Sequence, residues 1–169
     1  MAIDKVRNYL KKWNADGRVL EFEVSSATVE LAAQAAGVIP ARIAKTLSFL
    51  VDEGCVLIVT AGDAKIDNSK FKAMFHAKAK MLSPEQVYSF TGHAVGGVCP
   101  FANPDGVRTY LDVSLQRFET VFPAAGSSNS AIQLTCDELA EYSHSLGWID
   151  VCKGCLLYTS DAADDRISV

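Results

Sequence analysis

Ile43-Ala44-Lys45-Thr46-Leu47-Ser48-Phe49-Leu50-Val51 runs into Asp52-Glu53-Gly54 and returns as Cys55-Val56-Leu57-Ile58-Val59-Thr60. Two apolar runs rich in β-branched and aromatic residues, joined by a short polar turn with glycine, predict an antiparallel β-hairpin. Lys45 is its odd member. Packing alone would fill the start of an apolar strand with Val or Ile. A lysine there either snorkels to water along its aliphatic stem or places an ammonium at the rim of a pocket.

Upstream of the hairpin, Ile3, Val6, Leu10 and Trp13 recur at helical spacing between Lys5, Arg7, Lys11 and Lys12, a pattern that predicts an amphipathic first helix. Val19 to Val24 alternates and reads as a strand. Thr28 is a helix N-cap, Val29, Ala32, Ala33 and Ala36 line one face, and Gly37 supplies the stop. Pro40 can open one helical turn before the hairpin.

Downstream, Asp67 or Asn68 caps a helix with Phe71, Met74 and Phe75 turned inward. A short strand is expected near Lys80-Met81-Leu82, and Ser83-Pro84-Glu85 opens a further helix with proline in its first turn. Asn103-Pro104-Asp105-Gly106 is a turn ahead of a strand from Val107 to Leu111. A helical turn over Ser114 to Phe118, a strand over Thr120 to Gly126 and a short strand over Ala131 to Leu134 follow. Thr135-Cys136-Asp137-Glu138 is a capping box opening a last helix. Strands outnumber helices and the helices fall at both ends. The expected class is α+β, with a curved sheet that is mixed and mostly antiparallel.

Between the helix opened at Ser83 and the turn at Asn103 lies Gly92-His93-Ala94-Val95-Gly96-Gly97-Val98-Cys99-Pro100-Phe101, an apolar run that reads as a buried strand interrupted by three glycines and a proline. Such a stretch makes a bulge and tight turn under a core strand. It can equally aim several backbone N–H groups into one concavity, as anion-binding nests do.

Composition limits the function classes. At 169 residues, 49% hydrophobic and 21% charged, the chain suits one domain with a substantial core. No apolar run approaches the ~18 residues of a membrane span, and the N-terminal residues carry charge with no signal-like apolar core. A soluble cytoplasmic protein is expected. Five cysteines, mostly in apolar surroundings, read as reduced buried thiols. A net charge of −4 argues against nucleic-acid binding by bulk charge. Yet Lys65, Lys70, Lys72, Lys78 and Lys80 face one acid, Asp67, over that stretch. It reads as a solvated helix face or as a contact for phosphates, with Lys70, Lys72, Lys78 and Lys80 as the candidates. His76, His93 and His144 have no metal-ligand spacing, and no Walker loop, dinucleotide fingerprint or nucleophile elbow is present. A hydrolase built from these residues would use water as nucleophile, with backbone N–H groups and one lysine for electrostatic stabilisation.

Thr28-Val29-Glu30, Lys45-Thr46-Leu47, Gly62-Asp63, Gly96-Gly97-Val98-Cys99-Pro100, Asp112-Val113-Ser114-Leu115 and Ala124-Ala125-Gly126-Ser127 occur in this order. Together they resemble the YbaK/EbsC family of aminoacyl-tRNA editing domains, related to the insertion domain of bacterial prolyl-tRNA synthetase. The resemblance covers residues 1–153, with the family's lysine on Lys45 and its G-x-x-x-P signature on Gly96 and Pro100.

The resemblance implies a mixed, barrel-like sheet surrounded by helices, and a free-standing deacylase that hydrolyses the ester of mischarged tRNA without metal or cofactor. The implied substrate is a proline tRNA carrying a small wrong amino acid, with prolyl-tRNA synthetase as a further partner and no membrane involved. Lys45, Gly96 and Gly97 would carry catalysis. Val98, Cys99, Pro100, Phe101, Asp112, Ala124, Gly126 and Ser127 would hold the substrate. The chain departs from the family where cysteine-selective members carry serine (here Ala124) and aspartate (here Ala131), and where alanine-selective members carry histidine (here within Ser127 to Ser130). The same cleft also suits a non-catalytic module that binds a tRNA end or a protein partner, and glycines that only make turns suit a purely structural domain. Residues 154–169 lack any period and read as a cloning-derived tail. One thiol of the C-x-x-C spacing Cys152 to Cys155 lies in that tail, so the spacing is not read as a metal or redox motif.

Overall fold

The computed structural model describes residues 2–94 and 96–153; the expectation of a tail over 154–169, including Cys155, lies outside them. Helix α1 (Ala2–Leu10) precedes strand β1 (Val19–Glu21), and α2 (Val29–Ala36) leads into the hairpin β2 (Ile43–Val51) and β3 (Gly54–Ala61). Helices α3 (Asn68–Phe75) and α4 (Pro84–Thr91) come next, then β4 (Arg108–Asp112), β5 (Thr120–Pro123), β6 (Ser130–Ile132) and β7 (Leu134–Thr135). Helix α5 (Cys136–Tyr142) and β8 (Trp148–Ile149) complete the described elements.

Local chemistry sets most of these boundaries. The Thr28 hydroxyl accepts from the Leu31 N–H at the start of α2, and Gly37 closes that helix in the left-handed region. The Asp67 carboxylate accepts from the Ser69 and Lys70 N–H groups at α3. Reciprocal capping boxes open α4, through Ser83 and Gln86, and α5, through Thr135 and Glu138. The hairpin turn places Asp52 and Glu53 at φ of 52° and 64°. This is the two-residue mirror-image turn whose twist matches that of the flanking strands.

The hairpin is the centre of a six-stranded sheet in the order β7-β5-β2-β3-β4-β8, which curls into a half-barrel, while β1 pairs with β6 in a separate ribbon. Three pairings are antiparallel (β1 with β6, β2 with β3, β5 with β7) and three parallel (β2 with β5, β3 with β4, β4 with β8). The long register of the hairpin, from Ala44 opposite Ala61 to Val51 opposite Gly54, makes most paired positions antiparallel.

Strand β3 is covered on both faces. Val56 and Ile58 pack with Phe49, Phe71 and Phe75 beneath α3, while Cys55 and Leu57 pack with Leu82 and Val87 beneath α4. Val56, Leu57, Ile58 and Val59 are 0% exposed, and full burial of such side chains stabilises by about 1.5–3 kcal/mol each. The alanines of α2, Ala32 and Ala33, let that helix sit close on Ile43 and Phe122.

The structure departs from the sequence reading in several places. Met74 of α3 is exposed and not turned inward, the Lys80 to Leu82 stretch makes only an isolated bridge at Met81, and β5 stops at Pro123. Strand β1 stops at Glu21, although the Phe22 N–H still donates to the Asn129 carbonyl at 2.8 Å. Gly92 to Phe101 contains no strand among its described residues; it is an anchored loop. The anchor is His93, 0% exposed, whose Nε2–H donates to the Phe101 carbonyl at 3.0 Å. That tautomer leaves Nδ1 bare and, among the described residues, without a partner.

Burial holds the His93 imidazole below its ordinary pKa of 6.5 against the opposing pull of the Phe101 carbonyl. The unfolded chain therefore binds the proton first as pH falls below about 6.5, and the stability tied to neutral His93 is lost below that value. Denaturant unfolding at pH 7 and pH 5 should show wild type losing stability relative to His93→Gln. Parallel losses in the two proteins would rule out this role.

Candidate active site

A cavity of about 330 Å³ opens between the start of α2, the first half of β2, the Met81–Val87 segment and the β5–β6 connection. Among the described residues no acidic side chain lines it, and most of its wall is small or apolar: Ala27, Ala32, Ala124 and Ala131 with Val29, Val98 and Leu82.

Lys45 borders this cavity. Its ammonium donates to the carbonyls of Ala64, at 2.6 Å, and Gly62, at 3.3 Å, where β3 ends. An ammonium has three donors, so one proton of Lys45 has no partner among the described residues. Desolvation lowers its pKa, because burial disfavours the charged form. The carbonyl pair fixes the position of the only cationic side chain that borders the cavity among the described residues.

Across the cavity, Gly96 takes φ of 96° and lies in van der Waals reach of Ala27 and Ser128. The neighbouring Gly97 lies flat on the backbone of Ser127, where a Cβ would come within 3.0–3.1 Å of main-chain atoms. Its N–H closes a turn onto the Ala94 carbonyl at 2.9 Å and so is engaged within the loop. The N–H groups of Gly96 and Val98, both bordering the cavity, donate to no described group.

The facing loop is tightly built. The Ser127 hydroxyl lies 2.8 Å from both Asn129 Oδ1 and Ser130 Oγ, and Asn129 Nδ2 donates to the Phe22 carbonyl at 3.0 Å. The Ser26 N–H donates to the Ser128 carbonyl at 2.6 Å, which ties two rims of the cavity together.

The sequence-selected residues divide accordingly. Lys45, Gly96, Val98 and Ala124 border the cavity, with Gly97 and Ser127 directly behind. Gly126 is buried at φ of 101°. Cys99, Pro100 and Phe101 are buried in the support of the loop, and burial pushes the Cys99 thiol up to about 12, so it offers no thiolate. Asp112 is buried away from the lining, accepting from the Ser114 N–H and the Val151 N–H at 2.9 Å each. Lys70 is tied to Asp150 and to the Cys152 carbonyl, both at 3.0 Å. Lys72, Lys78 and Lys80 are exposed, and Lys80 adjoins Met81 on the cavity rim.

Sequence reasoning missed Thr46 and Ser48, which also line the cavity. Their signal was present as two polar residues at alternate positions in an otherwise apolar strand.

Comparisons with known proteins bear on the family of the chain. The model of the aminoacyl-tRNA editing domain matches residues 23–142. The uncharacterised protein YwhH of Bacillus subtilis (strain 168) is 56% identical over 154 residues, covering 90% of this chain and 98% of its own length. The proline--tRNA ligase of Leuconostoc citreum (strain KM20) is 31% identical over 86 residues, which take in 50% of this chain and 15% of the ligase. The crystal structure of a candidate trans-editing enzyme for prolyl-tRNA synthetase superposes with a TM-score of 0.82 at 27% identity, covering 90% of this chain and 98% of that one. With the family model spanning most of the chain and its cleft built as described, the chain belongs to the aminoacyl-tRNA editing domain family.

Proposed function

We propose that this protein hydrolyses the ester joining a wrong, small, uncharged amino acid to tRNA, with proline tRNA as the carrier. The observation that carries this reading is the pairing, on one small cavity, of a fixed lysine with two unengaged backbone N–H groups. Water attacks the ester carbonyl carbon, the bond to the ribose oxygen breaks, and that oxygen leaves protonated. The N–H groups of Gly96 and Val98 stabilise the developing oxyanion. Lys45 supplies positive charge at the ester or at the terminal phosphate. One preorganised donor of this kind is worth about 3 kcal/mol of barrier.

Two supports favour proline tRNA: the partial likeness to a proline--tRNA ligase and the neighbour described for prolyl-tRNA synthetase. Action without a covalently joined synthetase is supported by the Bacillus subtilis relative, matched along nearly its whole length. Purified protein should release free amino acid from mischarged proline tRNA. Binding of that tRNA with no release would instead favour a non-catalytic module using the same cleft.

Ala124 sets part of the cavity width. Ala124→Val, which adds two carbons to the wall, is expected to slow the larger aminoacyl substrates first, by about 10-fold or more, read as relative kcat/KM across a series of side chains. Equal slowing across the series would show that Ala124 does not gauge size.

Lys72, Lys78 and Lys80 lead along the exposed surface to the rim at Met81, and the proposal gives them to tRNA phosphates. Replacing each with glutamine should flatten the salt dependence of tRNA affinity by about 0.7–0.9 in log–log slope per lost contact. Lys70→Gln should flatten it less, since its ammonium already has Asp150. An unchanged slope in the triple variant would return the stretch to a solvated face.

A further inference from the structure

Five lining residues carry hydroxyls: Ser26, Thr28, Thr46, Ser48 and Ser130. Three are engaged by the protein itself. Ser26 donates to the Ser128 carbonyl, Thr28 caps α2, and Ser130 is bonded within its loop. Thr46 Oγ1 is buried with no partner among the described residues. Ser48, 6% exposed, gives its carbonyl to the Leu82 N–H at 3.2 Å, while its hydroxyl donates to no described group. The two are separated by one residue on β2 and so project to the same face. Around Ser48 the wall is apolar, formed by Leu82 and Val87. Leaving the buried Thr46 hydroxyl unmatched is costly, so it points, with Ser48 beside it on the lining, to a polar group brought by the ligand.

We infer that Thr46 and Ser48 form a polar floor that selects a small aminoacyl side chain bearing a hydroxyl, of the serine kind, over its counterpart without one. This inference rests on the deacylase reading. The substrate α-ammonium is a poor occupant, because among the described residues no carboxylate lines the cavity and the cationic Lys45 borders it; a buried ammonium there would be uncompensated. A neutral hydroxyl both donates and accepts, which matches two serine- and threonine-type partners. Proline carries no such group, so the floor also helps to spare the correct product.

The test uses purified full-length protein and proline tRNA charged with serine or alanine, which differ by one oxygen. Wild type should favour seryl- over alanyl-tRNA by about 10-fold or more in kcat/KM, as expected where a site is built around a substrate hydroxyl. Thr46→Val and Ser48→Ala should each lower that ratio several-fold, and Thr46→Ser, which restores the hydroxyl, should recover it. Thermal unfolding of each variant confirms that it folds. A wild-type ratio near one, or variants that keep the wild-type ratio, would overturn the inference while leaving the deacylase reading standing. Hydrolysis of neither substrate would overturn both.

Discussion

Lys45→Met is expected to lower deacylation of mischarged tRNA by about 100-fold, the scale of one lost electrostatic stabiliser, while shifting Tm by only a few degrees. Methionine keeps the length and packing of the stem and removes only the charge, so a large loss reports on the ammonium. The structural cost is small because desolvation already opposes the buried charge, and the carbonyls of Gly62 and Ala64 offset it. Lys45→Arg should rescue only in part, since a planar fork cannot reproduce a point donor seated between those oxygens. The same burial sets a pH signature. The pKa of Lys45 is lowered, so turnover should fall on the alkaline side at a lower pH than an ordinary lysine would impose. Wild-type turnover in Lys45→Met would remove Lys45 from the mechanism.

Gly62→Ala should be the most damaging single change to the fold around the site. A Cβ there would lie 2.1 Å from the Pro40 carbonyl oxygen and 2.7 Å from Val29 Cγ1. The first of these is main chain, so no rotamer change relieves it and the β3 end must move against the Pro40 turn. Overpacking of this sort costs about 3 kcal/mol or more, or roughly 6–12 °C in Tm for a chain of this size. The displaced carbonyl is one that holds Lys45, and Val29 lines the cavity. Protein that still folds should therefore also turn over slowly. Gly106→Ala, with nothing within 4 Å and no left-handed φ, is the matched control, expected within about 0.5 kcal/mol of wild type. A Gly62→Ala protein that melts like wild type would contradict the close approach.

The parts of the fold that sequence made legible are those written in local chemistry. Thr28 and Thr135 with Glu138 cap the helices the sequence assigns them, Asp67 is the one of the two candidates that caps α3, and Ser83 opens the helix expected at Ser83-Pro84-Glu85. The hairpin of β2 and β3 follows from its pattern and turn. Pairings that join distant segments were not legible. The parallel contacts of β2 with β5 and of β4 with β8 depend on how the sheet curls, which no local window encodes. The Gly92 to Phe101 stretch has strand-like apolarity because Val98 to Phe101 pack into the core or against it, yet a buried histidine and turn bonds hold it in place of a ladder.

The same division holds at the site. Lys45 stood out as a charge in an apolar strand, and its neighbours Thr46 and Ser48 were hidden by it. Asp112 is a substrate contact only by the family resemblance. Its two oxygens are instead taken by the Ser114 and Val151 amides, the second from a segment far along the chain. Lys70 looked free because Asp150, its partner, is equally distant in sequence.

The most direct measurement is single-turnover deacylation of one proline tRNA charged in turn with serine, alanine, cysteine and proline, with the protein in excess. Rapid release of the small wrong residues, with prolyl-tRNA spared by about 10-fold or more, is the predicted result. No release from any of the four, or equal release from all of them, would contradict an editing pocket built around Lys45.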